Sequence, residues 1–393
     1  MTQPAARPTI GAGRLAHRLS RARQVATEAG LDALLVGTGA DLRYLAGYAA
    51  QPLERLTMLV VPANGQPTLV APRLEAMAAR ACPVAEAGTV AVVEWDETDD
   101  PFVLVRAAIE RAGGRPLGLP VRAVAVSDRL WATFLLRLQE ALPSARCTLL
   151  SSVLREERML KDPDEVALLR AAAHAADRVI EQVAHGRLVG RTEADVSREI
   201  RDRLLAEGHE EASFAIVGSG PNSASPHHQP TDRSIRAGEP IVLDIGGTLS
   251  GYGSDITRTV WVTGGDPAKG PDRAFLALYG VLRAAQAEAT HAVRPGVPAE
   301  RVDAVAREII SAAGHGRHFF HRTGHGIGLE EHEDPYIVAG NLEPLRTGMA
   351  FSIEPGIYLE GRYGARIEDI VVCGEDGPVV LNEVTRELIV VHG

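Results

Sequence analysis

Four acidic residues set in apolar, strand-like runs constrain this chain more than any other feature. They are Asp244 in Ile-Val-Leu-Asp-Ile-Gly-Gly, Asp255 in Gly-Ser-Asp-Ile-Thr-Arg-Thr, Glu354 in Ser-Ile-Glu-Pro-Gly and Glu368 in Arg-Ile-Glu-Asp. Burying an unpaired carboxylate costs roughly several kcal/mol, so a fold that buries all four must bring cations to them. His325, in His-Arg-Thr-Gly-His-Gly-Ile-Gly, adds a neutral imidazole. Four negative charges and one imidazole balance two divalent cations. That is the composition of a hydrolytic two-metal site, with its ions about 3.5–4 Å apart.

Alone, each acid reads as structural: Asp255 ahead of Thr257 suits a turn, and Glu354 before Pro355 suits capture of backbone donors. Together with His325 they point to a site. Gly324 and Gly326 flank that histidine, which suits a loop whose backbone approaches a ligand closely. His315, His318, His321 and His325 have near-helical spacing, but Gly314, Gly316, Gly324 and Gly326 interrupt any such helix, and His-Glu-x-x-His is absent. A zincin is therefore rejected. No Gly-x-Ser-x-Gly elbow supports a serine hydrolase, and Gly324, Gly326 and Gly328 lack the strand–helix setting of a dinucleotide fingerprint. His227 and His228, in Pro-His-His, and His332, in Glu-Glu-His-Glu, are loop residues that solvation alone explains. Beside a two-metal site each could instead bond an oxyanion or shuttle a proton.

The organisation is that of two domains. Residues 1–155 alternate short apolar runs (Ala33 to Val36, Leu56 to Val61, Thr68 to Ala71, Val90 to Trp95) with amphipathic stretches from Leu15 to Ala29, Phe102 to Ala112 and Asp128 to Leu142. This predicts a small α/β domain without chemistry of its own. The boundary falls in the charged stretch around Arg155 to Arg158, and residues 156–393 carry the site. Asp162-Pro163-Asp164-Glu165 has capping-box spacing and predicts a helix with Val166, Leu169, Ala173, Ala176, Val179, Ile180 and Val183 on one face. Further helices are expected from Thr192 to Gly208, Asp272 to Ala292 and Pro298 to Ala313. Two hairpins share a plan, Asp244 to Asp255 and Glu354 to Glu368, with an acid on each arm. Meeting acid to acid, they would unite all four carboxylates.

A net charge of −10 argues against nucleic-acid and anionic-membrane partners. Cys82, Cys147 and Cys373 lack Cys-x-x-Cys spacing and suit a reducing compartment. With a polar start, Met-Thr-Gln-Pro-Ala-Ala-Arg-Pro, and no apolar run of membrane length, the expected location is the cytoplasm.

With those residues in view, the chain resembles the pita-bread metallopeptidases: methionine aminopeptidase, aminopeptidase P, prolidase and the metal-free creatinase. Pro-His-His, Leu-Asp-Ile-Gly, Ser-Asp-Ile-Thr-Arg-Thr, His-Arg-Thr-Gly-His-Gly-Ile-Gly-Leu-Glu-Glu-His-Glu and Glu-Pro-Gly…Arg-Ile-Glu-Asp occur in the family's order. The resemblance implies a creatinase-type amino-terminal α/β domain and an α+β pita-bread catalytic domain. It implies two metal ions on Asp244, Asp255, His325, Glu354 and Glu368, with Asp255 and Glu368 bridging. Carboxylate-rich ligation favours manganese, with cobalt, zinc or iron as alternatives. Glu354 would also accept the proton of the attacking water. His227 and His332 would stabilise the tetrahedral intermediate, and His321 would line the substrate pocket. The amino-terminal domain favours prolidase or aminopeptidase P over methionine aminopeptidase. The compact chain makes an Xaa-Pro dipeptidase (prolidase) acting on proline-containing dipeptides the first choice, with aminopeptidase P, acting on longer peptides, as the alternative. A creatinase-like C–N hydrolase and a non-catalytic binding protein on this scaffold would both be expected to lack ligands that are present here. Tyr336 stands where many short prolidases have an arginine that could grip a dipeptide's carboxylate. Arg366 and Arg43 are the candidates to replace it. A homodimer is expected, the first domain limiting substrate length at its own or a partner's pocket.

Overall fold

The computed structural model describes residues 8–111 and 120–392. Nearly all of the polar amino-terminal octapeptide, and Ala112, the expected end of a helix, lie outside them. The chain divides into two compact units, Ile10–Arg158 and Met159–Gly393. The division lies just beyond position 155 because Arg155 to Arg158 form the end of a helix, Ser151–Met159, rather than a linker.

The first unit is built on one mixed sheet of six strands. They are β1 (Ala33–Gly37), β2 (Met58–Pro62), β3 (Thr68–Pro72), β4 (Ala91–Trp95), β5 (Ala123–Val126) and β6 (Arg146–Leu149), in the order β4-β3-β2-β1-β5-β6. The β1–β2 and β2–β3 pairs are antiparallel and the other three parallel. Leu35, Met58, Val60, Val70 and Val124 pack with Phe102 and Val105 of the helix Pro101–Arg111. Strands β5 and β6 carry weak sequence signals. Ala-Val-Ala-Val is short and low in bulk, and Arg-Cys-Thr-Leu is an edge strand with polar, exposed positions.

The second unit is α+β, in two halves. In the first, β7 (Glu211–Ser219), β8 (Glu239–Leu249) and β9 (Tyr252–Val262) form a meander extended by the parallel carboxy-terminal strand Ile389–Val391. The helices Pro163–Ala184 and Glu193–Ala206 cover it through Val179, Ile180, Ile200, Leu243 and Val260. The Asp162 capping box forms as its spacing requires: Asp162 Oδ1 accepts from Glu165 N, and Glu165 Oε2 accepts from Asp162 N. In the second half, β10 (Gly324–Gly326), β11 (Glu333–Ile337), β12 (Ala350–Ile353), Asp369–Cys373 and Pro378–Val380 form a sheet backed by the helices Arg273–His291 and Ala299–Ala312. Among the described residues no helix is long and apolar enough to cross a membrane.

Both expected hairpins are present. The first turns at Ser250 and Gly251, whose φ values of 51° and 84° are the left-handed pair that a two-residue hairpin needs. The second keeps one register from Ala350 opposite Val372 to Leu359 opposite Tyr363. It breaks at Glu354-Pro355, where proline has no N–H for the ladder. That break frees Glu354 and Glu368, which the register sets opposite each other, from strand pairing on that side. The hairpins then meet: Glu368 N donates to Thr257 O at 3.1 Å.

Candidate active site

Strand register places the acids. On β8 and β9, Asp244 stands opposite Thr257 and Asp255 opposite Gly246. A Cβ at Gly246 would come within 2.3 Å of Phe214 and of Ser254 O, so only glycine lets β7, β8 and β9 close around Asp255. His325 sits on strand β10, not in a loop, and its flanking glycines serve the sheet rather than a ligand. A Cβ on Gly324 would meet Ser352 O at 1.8 Å and one on Gly326 would meet Asp334 O at 2.2 Å. The His325 Nδ1–H donates to Gly326 O at 3.1 Å, which aims Nε2 at Glu354 Oε1 (3.4 Å) and Asp255 Oδ2 (3.6 Å). Ser352 Oγ donates to Glu354 Oε1 at 3.2 Å, and Thr257 Oγ1 donates to Glu368 Oε2 at 2.6 Å.

Asp244, Asp255, His325, Glu354 and Glu368 line one cavity of about 680 Å³, with His227, His321, Arg322, Glu331, His332 and Arg366. Phe214, Ile216, Pro226 and Phe320 form its apolar wall. Asp255, His325 and Glu368 each offer a ligand atom, all within 4.8 Å of one another. Burial, then the charges of Glu368, Asp244 and Glu354, pushes the Asp255 carboxyl far up. Burial and the charges of Glu354 and Asp244 do the same to Glu368. Burial raises Glu354 to about 7 against the pull of Arg366, and burial followed by His332 lowers His325 to about 3. The cluster thus holds more negative charge than the protein itself balances.

Arg366 supplies part of that balance, and the sequence reading left it out of the charge count. It is buried and pairs with Asp244 Oδ2 rather than with Glu368. Its Nε donates to Thr257 Oγ1 at 3.0 Å, and its remaining donors reach Tyr358 Oη at 2.9 Å and Pro226 O at 3.4 Å. The other Asp244 oxygen, Oδ1, is buried with no hydrogen-bond partner among the described residues. An orphaned carboxylate oxygen, beside a three-residue acid–imidazole cluster of all-oxygen and nitrogen donors, fits divalent cations.

His321 belongs to the wall. Its Nδ1–H donates to Arg322 O at 2.7 Å, leaving Nε2 to accept from Tyr358 Oη at 3.0 Å. Burial first, then Arg366, holds its ring down at about 3, so it is neutral. His332 lies 4.0 Å from His325, ring centre to ring centre. His228, unlike its neighbour His227, turns away to bond Glu193 Oε2 at 2.8 Å. Tyr336 does not line the cavity; its ring lies under the Arg322 guanidinium, 4.4 Å away. Arg43 belongs to the first unit, on the helix Ala40–Ala46. Sequence reasoning missed Arg322, Phe214, Ile216, Phe320 and Tyr358. Phe214 and Ile216 alternate on β7 and stand opposite Gly246 and Asp244, a signal visible only once the β7–β8 register is known.

Comparison with known proteins gives the family and the fold. The profile of Metallopeptidase family M24 matches residues 167–375, and that of the Creatinase/Prolidase N-terminal domain matches residues 18–160. The chain is 49% identical over 377 residues to the probable dipeptidase PepE of Mycobacterium tuberculosis, covering 96% of each. Among solved structures, dipeptidase PepE from Mycobacterium ulcerans aligns with a TM-score of 0.88 at 46% identity, over 98% of this chain and 99% of that one. A prolidase from Thermococcus sibiricus aligns with a TM-score of 0.87 at 35% identity, over 98% of this chain and all of the other. A buried acid–imidazole cluster of metal-ligating type, inside a matched catalytic domain that follows a matched amino-terminal domain along the chain, leaves one conclusion: the chain belongs to metallopeptidase family M24, a family of metal-dependent hydrolases.

Proposed function

We propose that this protein is an Xaa-Pro dipeptidase, cleaving the bond between an amino-terminal residue and a following proline. The observation that carries the reading is the convergence of Asp244, Asp255, His325, Glu354 and Glu368 on one cavity. The apolar wall of Phe214, Ile216 and Phe320 suits a pyrrolidine ring, and relatives named dipeptidase and prolidase support it. Asp244, Asp255, His325, Glu354 and Glu368 would hold two divalent ions, manganese first and cobalt or zinc as alternatives, which when bound would supply Lewis acidity to the scissile carbonyl and to a water.

The chain's own groups would do the rest. Glu354 Oε2 would accept the proton of the attacking water, while Ser352 holds Oε1. His227 and His332 would donate hydrogen bonds to the carbonyl oxygen as it gains charge. Arg366 would hold Asp244 in place, and Tyr358, bonded to both Arg366 and His321, would keep the pocket wall fixed. We propose a homodimer for the whole chain, the commonest symmetric assembly. The test is cleavage of Ala-Pro beside Ala-Pro-Ala by protein reconstituted with manganese. Faster cleavage of the dipeptide supports the reading; a preference for the tripeptide moves the assignment to aminopeptidase P; cleavage of neither overturns it.

A further inference from the structure

Two arginines line the cavity, and they differ in what they have left to offer. Every N–H of Arg366 is taken by Thr257, Tyr358, Pro226 or Asp244. Arg322, among the described residues, makes no hydrogen bond and no ion pair through its side chain; its one close partner is the face of Tyr336, 4.4 Å from the guanidinium carbon. A guanidinium stacked on a ring gives up its face and keeps its edge, where all five N–H donors lie.

The backbone beneath this side chain is firmly held. Arg322 O accepts from His321 Nδ1 at 2.7 Å. The next residue is tied on two sides, Thr323 N to Ile337 O at 3.0 Å and Thr323 Oγ1 to Asp303 Oδ1 at 2.8 Å. Arg307 in turn pairs with Asp303 and donates to His321 O at 2.9 Å. Tyr336 is fixed on β11, its carbonyl accepting from Asn341 Nδ2 at 2.7 Å. Arg322 and His332 line the same cavity, so the guanidinium borders the space a substrate would fill. A rigid, charged fork facing a cavity rich in carboxylates, yet paired with none of them, is a site for a carboxylate that arrives from outside.

We propose that Arg322, positioned by the face of Tyr336, binds the free carboxylate of a dipeptide substrate and so sets substrate length. This rests on the peptidase reading above and adds the group that chooses among peptides. A dipeptide's carboxylate lies one residue beyond the scissile carbonyl and can take two parallel N–H bonds from the fork. A longer peptide has an uncharged amide carbonyl there, which accepts less and brings no charge. Tyr336 is a positioning residue in this scheme: it does not touch substrate.

The test compares Ala-Pro with Ala-Pro-amide, which share a scissile bond and differ only in the carboxylate, in the manganese-loaded protein and in its Arg322→Ala, Arg322→Lys and Tyr336→Leu variants. Wild type should favour the acid. Arg322→Ala should raise KM for the acid about 10- to 100-fold, the worth of a hydrogen-bonded charge, with little change in kcat and a far smaller effect on the amide. Arg322→Lys should recover part of the loss and Tyr336→Leu should show a weaker, acid-selective one, with metal content unchanged throughout. Because the Arg322 side chain makes no hydrogen bond among the described residues, its removal orphans no donor or acceptor there. Equal losses on acid and amide, or a wild type blind to the difference, would overturn the assignment. Ala-Leu and Ala-Leu-amide separate the two ideas: acid selectivity that depends on Arg322 without any preference for proline would sink the Xaa-Pro reading and leave Arg322 in its role. Should no dipeptide be cleaved, calorimetric binding of a reduced-bond Ala-Pro analogue against its amide still decides, with no acid preference, or one that Arg322→Ala leaves intact, counting against it.

Discussion

Asp244 gives one oxygen to Arg366 and buries the other without a hydrogen-bond partner among the described residues. A lone buried acceptor costs about 1–3 kcal/mol, a cost that a cation bound there would offset. The same logic separates ligands from the groups around them. Asp255→Asn or Glu368→Gln removes charge from a cluster that needs cations, and elemental analysis should show one or both ions lost. His227 lines the cavity without belonging to the buried acid–imidazole cluster. His227→Ala should therefore keep its metal while turnover falls by roughly 10²–10³, as for a lost bond to a developing oxyanion. Near wild-type turnover in His227→Ala would make that loop ordinary surface. At this scale the sequence was legible where a residue sat in the wrong company: an acid in an apolar run is costly, so Asp244, Asp255, Glu354 and Glu368 announced themselves. Arg322 did not, because an arginine between a histidine and a threonine is unremarkable until Tyr336 is found beneath it.

The elements that carry His227 depend on a residue with no direct part in the chemistry. Glu193, at the first turn of the helix Glu193–Ala206, accepts from Ser219 N and Oγ, Asn222 Nδ2, His228 Nε2, and Thr231 N and Oγ1. It thereby ties the end of β7 to the loop on both sides of His227. Nothing in the linear pattern shows this, since Thr192-Glu193 reads simply as a helix start; the donors come from segments that only β7–β8 pairing brings together. Burial pushes the Glu193 carboxyl up, but His228, Ser219 and Thr231 outweigh it and hold it at about 2, below its ordinary 4.5. A depressed folded-state value means that the unfolded chain takes up protons first. The stabilisation is therefore whole above pH about 4.5 and is lost as pH falls toward about 2. Glu193→Gln should cost about 3 kcal/mol near neutrality, in the range for breaking a buried charged network, and lower turnover through a loosened His227 loop. Urea unfolding of both proteins at descending pH checks it: the gap should shrink below about pH 4.5, and a gap independent of pH would show that the Glu193 charge does not stabilise the loop.

For the whole molecule, the candidate ligands lie on five separate stretches of β8, β9, β10 and the two arms of the second hairpin, so bound ions would staple the two halves of the catalytic unit to each other. The division of the chain into two units was legible from periodicity and from where the four acids and His325 fall. Strands β5 and β6 were not, because short edge and low-bulk strands owe their existence to neighbours rather than to their own pattern. The staple has a measurable thermodynamic signature. An ion at 100 times its Kd stabilises the fold by about 2.7 kcal/mol, which for a unit of this size raises Tm by about 5–10 °C per ion. Without ions the acids oppose folding as they ionise. Burial holds Glu354 at about 7, above its ordinary 4.5, so the folded protein keeps a proton that the unfolded chain has released, and stability falls as pH rises between those values. Asp255 and Glu368 shift in the same direction. Cations cancel that penalty and compete with the protons. The difference in Tm between manganese-loaded and chelator-treated protein should thus widen from pH 5.5 to 7.5, a direction opposite to that expected if the acids were already paired within the protein. Calorimetric scans across that interval decide it, and a difference that stays constant or narrows would mean that the four carboxylates are not a cation site.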